Sequence, residues 1–187
     1  MPPLITVAIP ADNRPEELSA LLDAVQAQEG VRFDVLVVED ASPRQAEIRA
    51  VVEGTAARRS DLRIRFVTNE RHLGFDGHLR RIFDLSEGEL TLLMGDDDLL
   101  RPGTLGRVGQ VIDSQPNLGV GLRPYESVDY ATDQRIELFR YFHEDRHFPA
   151  GARTMRTFFR RCVSIAGFTI QTGSAPRTPT LDSRYTQ

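Results

Sequence analysis

Four short apolar runs recur along the first half of the chain, separated by stretches with helical periodicity. The runs are Ile5–Ile9, Val35–Val38, Ile64–Val67 and Leu90–Met94. The second and fourth runs are apolar throughout, which is typical of strands that are buried on both faces of a sheet. The four runs are therefore predicted to be the strands of one sheet.

Apolar residues between these runs repeat at the spacing of amphipathic helices. The predicted helices begin near Pro15 and then cover about residues 44–58, 76–85 and 102–112. This alternation predicts an α/β fold, a three-layer sandwich in which helices cover both faces of a mostly parallel central sheet. Ligands of such sheets bind outside the carboxyl ends of the strands, in the loops that follow them.

The pattern weakens after Asn117. Val120–Arg123 and Ile136–Tyr141 are predicted strands, and Ala152–Cys162 has the pattern of a basic amphipathic helix. From Gln171 onward Thr, Pro, Ser and Gly dominate and no apolar period survives, which is typical of disorder. Residues 1–170 are therefore predicted to form one domain, and residues 171–187 a disordered tail.

Composition narrows the chemistry that this domain can perform. The 187 residues include 23 basic side chains, all of them arginine, and a single cysteine. Without lysine the chain can form no Schiff base and no phosphate-binding loop of the G-x-x-x-x-G-K-[ST] type. With one cysteine it can form no internal disulfide. No stretch has the length of a membrane span or signal peptide, so we expect a cytoplasmic protein.

The formal net charge of −4 conceals an asymmetry. Residues 1–145 hold 16 arginines and 26 acids, a balance of −10, whereas residues 146–187 hold 7 arginines and one acid, a balance of +6. The acidic main part would repel a phosphate backbone, so a nucleic-acid partner is not expected. The arginine-rich part suits an anionic or lipid-diphosphate acceptor, or peripheral contact with the inner membrane face.

Three consecutive carboxylates, Asp96–Asp98, directly follow the fourth predicted strand. Such a run is self-repelling unless a cation is present. Hard divalent ions such as Mg²⁺ or Mn²⁺ bind carboxylate oxygen and keep positions open for phosphate oxygens. The alternative is a solvated acidic loop that precedes the next helix. The position after a strand of a doubly wound sheet favours the ligand site.

Polar groups also follow the other three strands, in Pro10–Arg14, Glu39–Ser42 and Asn69–Gly74. All four loops carry acids, and Arg14 and Arg71 are placed to meet phosphate. Each loop alone is equally consistent with an ordinary turn or helix cap. Together they outline one polar crevice, and a cation-bridged nucleoside diphosphate is the ligand class that best accounts for the mixture.

These segments resemble family 2 glycosyltransferases with the GT-A fold. The motifs that carry the resemblance are Val7–Pro15, Val37–Ser42, Asn69–Phe75, Gly88–Leu90 and Gly95–Gly103. The closest similarity is to the abequosyltransferase-like branch, in which G-D-D-D replaces the commoner D-x-D-D. The resemblance covers roughly residues 4–115. It implies a nucleotide-sugar donor, bound over Mg²⁺ or Mn²⁺, and an inverting displacement by an acceptor hydroxyl.

The resemblance also implies roles for individual residues, in a donor site built from Pro10, Asp12, Arg14, Glu39, Asp40, Arg71, Gly74 and Asp96. Asp40 corresponds to the residue that hydrogen-bonds the nucleotide base, and Asp12 lies where the family usually has an aromatic residue. Asp97 corresponds to the principal metal-binding carboxylate, with Asp96 and Asp98 beside it, near the ribose and metal-bound water. His72 and His78 stand where many members have asparagine.

No catalytic base follows from the sequence. The family usually supplies the base from its second half, but after Asp145 the only carboxylate here is Asp182. The family domain is also usually longer. The expectation is therefore a nucleotide-sugar-dependent glycosyltransferase, acting on a glycan, lipid-linked or small-molecule acceptor. The alternative is a truncated or degenerate member that binds the donor without transferring the sugar.

Two other enzyme classes fit less well. His143–His147 matches the zinc-protease pattern H-E-x-x-H, but Pro149 restricts a helix there, and neither His nor Glu follows to supply a third ligand. Nucleotidyltransferases can share the sheet architecture, but resemble sequences with a loop rich in glycine, arginine and lysine after the first strand. Pro10–Arg14 contains no glycine and the chain contains no lysine.

Overall fold

The computed structural model describes residues 4–115, 120–122, 124–129, 131–132, 134–139 and 168–171. The strands are β1 (Ile5–Ala11), β2 (Phe33–Glu39), β3 (Ile64–Thr68), β4 (Leu90–Leu93), β5 (Val120–Leu122), β6 (Tyr125–Asp129), β7 (Gln134–Phe139) and β8 (Phe168–Gln171). The helices are α1 (Pro15–Gln26), α2 (Gln45–Arg58), α3 (Gly74–Leu85) and α4 (Thr104–Ser114). The four strands and four helices predicted for the first half are confirmed, within a few residues at their ends.

The main sheet has the strand order β3-β2-β1-β4-β8-β5. Strands β3, β2, β1 and β4 are parallel, and β8 lies antiparallel between β4 and β5. The chain moves outward from β1 to β3 and then returns to place β4 on the other side of β1. The boundary between β1 and β4 is therefore the point at which the strand order reverses.

Helices cover both faces of the parallel part of the sheet. Successive side chains of β1 point to opposite faces, so neighbouring residues of this strand belong to different cores. Val7 belongs to a core that includes Leu18 of α1 and Leu105 of α4. Ala8 belongs to a second core that includes Ile82 of α3. The predicted three-layer α/β architecture with a mostly parallel sheet is confirmed.

The loop between β4 and α4 is fixed by the buried side chain of Gln28. Its amide nitrogen donates to the carbonyl oxygen of Arg101 at 3.0 Å, and its amide oxygen accepts from the backbone nitrogen of Leu105 at 3.2 Å. The second contact satisfies one of the backbone donors that the first turn of a helix leaves unpaired. Gln28 therefore anchors the beginning of α4, which follows the acidic loop.

A hairpin of β6 and β7 contacts the same loop through charged side chains. Glu126 of β6 pairs with Arg101 of the loop, and its other carboxylate oxygen lies 3.1 Å from Nη1 of Arg135. The hydrogen bond from Arg101, followed by that from Arg135, lowers the pKa of Glu126. This carboxylate is thus held ionised by its two arginine partners.

The second half differs in detail from the sequence prediction. The predicted strand at Ile136–Tyr141 is observed as β7, which begins two residues earlier, and the strands β6 and β8 were not predicted. Gln171, the first residue of the predicted tail, is the last residue of β8, and the boundary between domain and tail stays a prediction. The remaining tail, the predicted helix Ala152–Cys162 and the H-E-x-x-H segment lie outside the described residues. None of the described helices is both long and apolar enough to cross a membrane.

Candidate functional site

The loops that follow β1, β2, β3 and β4 lie along one edge of the sheet, because these strands are parallel and adjacent. The strand order reverses between β1 and β4, and this switch point is where doubly wound sheets leave a crevice for ligand. The loops on its two sides, Asp12–Arg14 and Gly95–Asp98, contain the acidic run and one of the two predicted phosphate-binding arginines.

Pro10 stands where β1 and β4 separate. The ladder between these strands ends with the backbone nitrogen of Met94 donating to the carbonyl oxygen of Ala8 at 3.0 Å. Because backbone groups alternate sides along a strand, the next nitrogen of β1 facing β4 belongs to Pro10, which has no hydrogen to donate. The strands can part here without leaving an unpaired donor. Pro10 therefore permits the opening of the crevice.

The acidic run meets the first loop across this opening. The backbone nitrogen of Asp12 donates to Oδ2 of Asp96 at 3.1 Å. Nη1 of Arg14 lies 3.4 Å from Oδ1 of Asp96 and 2.5 Å from Oδ2 of Asp97. The backbone amide of Asp12 and the guanidinium of Arg14 thus join the loop after β1 to the acidic run, which lies more than 80 residues further along the chain.

The two carboxylates differ in environment. The side chain of Asp96 is 10% exposed and that of Asp97 is 55% exposed. Burial raises the pKa of Asp96 above its ordinary value, and the opposing effects of the Asp12 amide and Arg14 do not cancel it. Asp97, followed by Asp96, raises the pKa of the Arg14 guanidinium. The buried carboxylate consequently favours any additional positive charge that reaches it.

Asp98 is turned back toward its own loop. Its Oδ2 accepts from the backbone nitrogen of Gly95 at 3.0 Å, and its own nitrogen donates to the carbonyl oxygen of Gly95 at 3.1 Å. A Cβ atom at Gly95 would lie 3.0 Å from an oxygen of Asp97 and 3.1 Å from one of Asp98. Glycine at this position therefore leaves room for the neighbouring carboxylates.

The donor set at this edge fits a divalent cation that a ligand helps to hold. Within the described part of the chain, no three His, Cys, Asp or Glu side chains converge as a ready-made metal site. Mg²⁺, however, is usually held by one or two carboxylates together with substrate phosphates. Asp96 and Asp97 supply two carboxylates, and the guanidinium of Arg14 already occupies a cation position against both.

Asp40 forms the second polar centre of this edge. Its side chain is 2% exposed. Its Oδ1 accepts from Nδ2 of Asn69 at 2.7 Å and from the nitrogen of Leu73 at 2.9 Å. Its Oδ2 accepts from the nitrogen of Gly74 at 3.1 Å and lies 3.0 Å from Nδ1 of His72. The carboxylate thereby fixes the loop that leads into α3.

The role implied for Asp40, hydrogen bonding to a nucleotide base, stays a prediction. All four acceptor positions of its carboxylate have protein neighbours, so a base would need to displace one. His72 is the neighbour most free to leave, because its side chain is 64% exposed. His78, by contrast, is buried, and its Nε2 lies 2.9 Å from the carbonyl oxygen of Val38.

Glu39 points into the protein. Its Oε1 lies 2.6 Å from the nitrogen of Ser42, and its Oε2 lies 3.0 Å from the nitrogen of Ala41 and 2.7 Å from Nε2 of Gln45. The side chain is fully buried. In this arrangement Glu39 shapes the loop between β2 and α2, and its predicted contact with the donor is untested.

Ala41 adopts a left-handed backbone conformation, with φ of 57°. This conformation brings the Cβ atom of an ordinary residue too close to the backbone, so glycine is favoured. We expect Ala41→Gly to raise the free energy of unfolding by up to about 1 kcal/mol, after the larger unfolded-state entropy of glycine is subtracted. Urea unfolding measures the change.

The matched control for this loop substitution is Ala50→Gly, at an exposed position within α2. There the same change should lower stability by about 1 kcal/mol, because glycine weakens a helix interior. Equal destabilisation by both substitutions would contradict strain at Ala41.

Arg71 is exposed and its guanidinium pairs with none of the described residues, so the structure leaves it accessible to an anionic ligand. Gly74 begins α3 with φ of 68° and gives its amide to Asp40. Asn69, His72 and Gln45 are the contributors that the site prediction omitted. Asn69 and His72 lie in the loop after β3, and that position was the available signal, whereas Gln45 is the first residue of α2 and carried no such signal.

A doubly wound sheet with an acidic crevice at its switch point is the architecture of a nucleotide-binding α/β domain. The sequence matches the description "Glycosyl transferase family 2" over residues 6–169. The chain therefore belongs to glycosyltransferase family 2.

Curated relatives agree with this assignment. The chain is 30% identical over 154 residues to an uncharacterized protein of Mycobacterium tuberculosis. This alignment covers 79% of the present chain and 46% of the relative. It is 33% identical over 93 residues to the amylovoran biosynthesis glycosyltransferase AmsB of Erwinia amylovora, covering 50% of this chain and 30% of the relative. The chain thus spans less than half the length of these relatives.

Solved structures share the GT-A-like fold. S. aureus TarS 1-349 in complex with UDP-GlcNAc aligns with a TM-score of 0.55 and 26% identity, over 63% of this chain and 33% of TarS 1-349. The mannosyltransferase PcManGT from Pyrobaculum calidifontis, in complex with GDP-Man and Mn²⁺, aligns with a TM-score of 0.57 and 23% identity, over 66% and 36% respectively. The second likeness concerns the fold alone.

Proposed function

We propose that the protein is a glycosyltransferase that uses a nucleotide-diphospho-sugar donor and Mg²⁺ or Mn²⁺ to transfer a sugar to an acceptor hydroxyl, with inversion. The observation that carries the proposal is the convergence of Asp96 and Asp97 on one cationic group at the switch point. Family membership supports a transferase. The UDP-GlcNAc ligand of TarS supports the donor class. The paired carboxylates Asp96 and Asp97 support the divalent ion.

Each side of the crevice has a task in this proposal. Asp97, Asp98 and the more buried Asp96 would hold the ion, and Asp98 also fixes the loop by accepting a hydrogen bond from the backbone nitrogen of Gly95. Arg14 and Arg71 contact the diphosphate, for which guanidinium groups are well suited. When bound, the ion neutralises the charge that develops on the departing nucleotide diphosphate. Asp12 and Asp40 border the base.

Narrower assignments extend this proposal. The sequence Gly95–Asp98 favours the abequosyltransferase-like branch. The arginine-rich residues 146–187 favour an anionic or lipid-linked acceptor over nucleic acid. They also favour peripheral contact with the inner membrane face, which goes with a cytoplasmic location.

Vesicle sedimentation tests the membrane contact: equal binding to neutral and anionic lipid would contradict it.

A thermal-shift panel tests donor binding. UDP-, GDP-, CDP- and dTDP-sugars are each added to the 187-residue chain, with and without Mn²⁺. We expect one nucleotide to stabilise the protein in the presence of Mn²⁺ and much less without it, because a ligand that binds only the folded state raises its stability. Failure of every nucleotide, with and without the ion, would refute the proposal.

Transfer itself requires a second measurement with the donor that binds best. Release of nucleoside diphosphate, dependent on Mn²⁺ and stimulated by a sugar or lipid-linked acceptor, would support the transferase. Donor binding without release under any acceptor condition would instead support a non-catalytic donor-binding protein, the alternative raised by the sequence.

A further inference from the structure

Arg14 occupies the place of a cation in the candidate metal site. Its Nη1 lies 2.5 Å from Oδ2 of Asp97 and 3.4 Å from Oδ1 of Asp96. These are the carboxylates assigned to the divalent ion. A metal ion bound to these same oxygens would lie close to the guanidinium, and two positive groups at such a distance repel each other strongly.

We propose that Arg14 is a resident counter-cation that competes with the divalent ion and is released when the diphosphate arrives. The proposal rests on the function proposed above and adds an order to it. The ion alone binds weakly because it must displace Arg14. The ion together with a diphosphate binds well because the displaced guanidinium gains phosphate oxygens as new partners.

The surroundings of Arg14 permit this exchange. Its side chain is 50% exposed, whereas that of Asp96 is 10% exposed. The carboxylate is thus fixed in the protein, where the amide of Asp12 also holds it, and the arginine is the partner that can move. Arg14 directly precedes α1, on the opposite side of the crevice from the carboxylates. A rotation of its long side chain can therefore turn the guanidinium from carboxylate to phosphate.

Exchange also explains why a cation is present at all. Asp96 and Asp97 are adjacent in sequence and one of them is buried, so without a counter-charge the unliganded protein would hold two repelling carboxylates. Arg14 relieves this repulsion until the metal replaces it. By thermodynamic reciprocity, a diphosphate that draws Arg14 away must strengthen metal binding by the same factor by which the metal strengthens diphosphate binding.

Mn²⁺ affinity without nucleotide, measured by electron paramagnetic resonance, tests the proposal. Arg14→Gln should bind Mn²⁺ about two- to fivefold more tightly than the unaltered chain, because a half-exposed ion pair no longer competes. Arg14→Lys keeps a cation and should bind Mn²⁺ as weakly as the unaltered chain. Arg81→Gln, which removes an exposed charge from α3, is the matched control and should change nothing.

Addition of the nucleoside diphosphates UDP, GDP, CDP and dTDP supplies the second half of the test. Mn²⁺ affinity of the unaltered chain should rise more than that of Arg14→Gln. An unchanged or weaker Mn²⁺ affinity of Arg14→Gln, or no detectable Mn²⁺ binding by either form, overturns the exchange. If the exchange is overturned but nucleotides still stabilise the unaltered chain in the presence of Mn²⁺, the proposed function stands. The proposed function itself fails only if no nucleotide stabilises the unaltered chain.

Discussion

Asp40→Asn is expected to lower the free energy of unfolding by about 2–4 kcal/mol. The buried carboxylate accepts hydrogen bonds from Asn69 and from the backbone nitrogens of Leu73 and Gly74. Asparagine of the same size replaces one acceptor oxygen by an NH₂ group, which would face a donor. At least one buried donor is then left without a partner, and the loop before α3 loses the group that fixes it.

Urea unfolding measures this loss. The matched control is Asp84→Asn, which removes an exposed carboxylate from α3 and should change stability by less than about 0.5 kcal/mol. A similar loss of stability in both variants would show that removal of one negative charge, and not loss of the Asp40 hydrogen bonds, causes the effect. Hydrogen exchange gives a second readout, because the amides of Leu73 and Gly74 should lose protection in Asp40→Asn alone.

The same variant has a pH signature. Burial tends to raise the pKa of Asp40, but the hydrogen bonds from Leu73 and Asn69 and the nearby His78 and His72 outweigh it, so the pKa lies below its ordinary value of 3.8. A lowered pKa means that the ionised carboxylate stabilises the fold above the ordinary pKa, and that this contribution is lost as the pH falls through the folded-state value. The stability difference between the unaltered chain and Asp40→Asn should therefore shrink below about pH 4. A difference that is constant down to pH 2 would contradict this cause.

Much of the fold could be predicted because the relevant signals are local. A run such as Val35–Val38 is apolar at every position, and helix α1 shows its period in Leu18, Leu21 and Leu22, so strand and helix types follow from short windows. The reversal of strand order then places the loop after β4 beside the loop after β1. This is why the neighbourhood of Arg14 and the acidic run was predictable.

The partner that each polar group takes was not predictable from such windows. Arg14 was expected to meet phosphate, and in this structure it meets Asp96 and Asp97, more than 80 residues away. The four acceptor positions of Asp40 are likewise filled by Asn69, His72 and two amides of a distant loop. Such pairings depend on side-chain directions in the assembled crevice, which no sequence period encodes. Strand β8 was missed for a related reason: Phe168–Gln171 adjoins the stretch rich in Thr, Pro, Ser and Gly, and pairing with β4 and β5 defines it as a strand.

Asp97→Asn is expected to weaken Mn²⁺-dependent nucleotide binding by at least about 100-fold. The substitution keeps the size of the side chain and removes the charge of the more exposed carboxylate, which pairs only with Arg14 among the residues that the structure describes. Because that pair is half exposed, stability without ligand should change by less than about 1 kcal/mol. A large loss of binding with little loss of stability is the mark of a ligand-holding residue rather than a structural one.

The control is Asp113→Asn, which makes the same charge change in the last turn of α4. Helix α4 begins beside the acidic loop, and Asp113 lies near the other end of this helix, so it is far from the loop. This variant should therefore keep its nucleotide affinity. Retained Mn²⁺-dependent binding in Asp97→Asn would remove the principal carboxylate from the proposed site, and equal loss in both variants would reduce its effect to net charge. Loss confined to Asp97→Asn would tie the acidic run to Mn²⁺-dependent binding of the nucleotide, because only this variant lacks a carboxylate that faces the crevice.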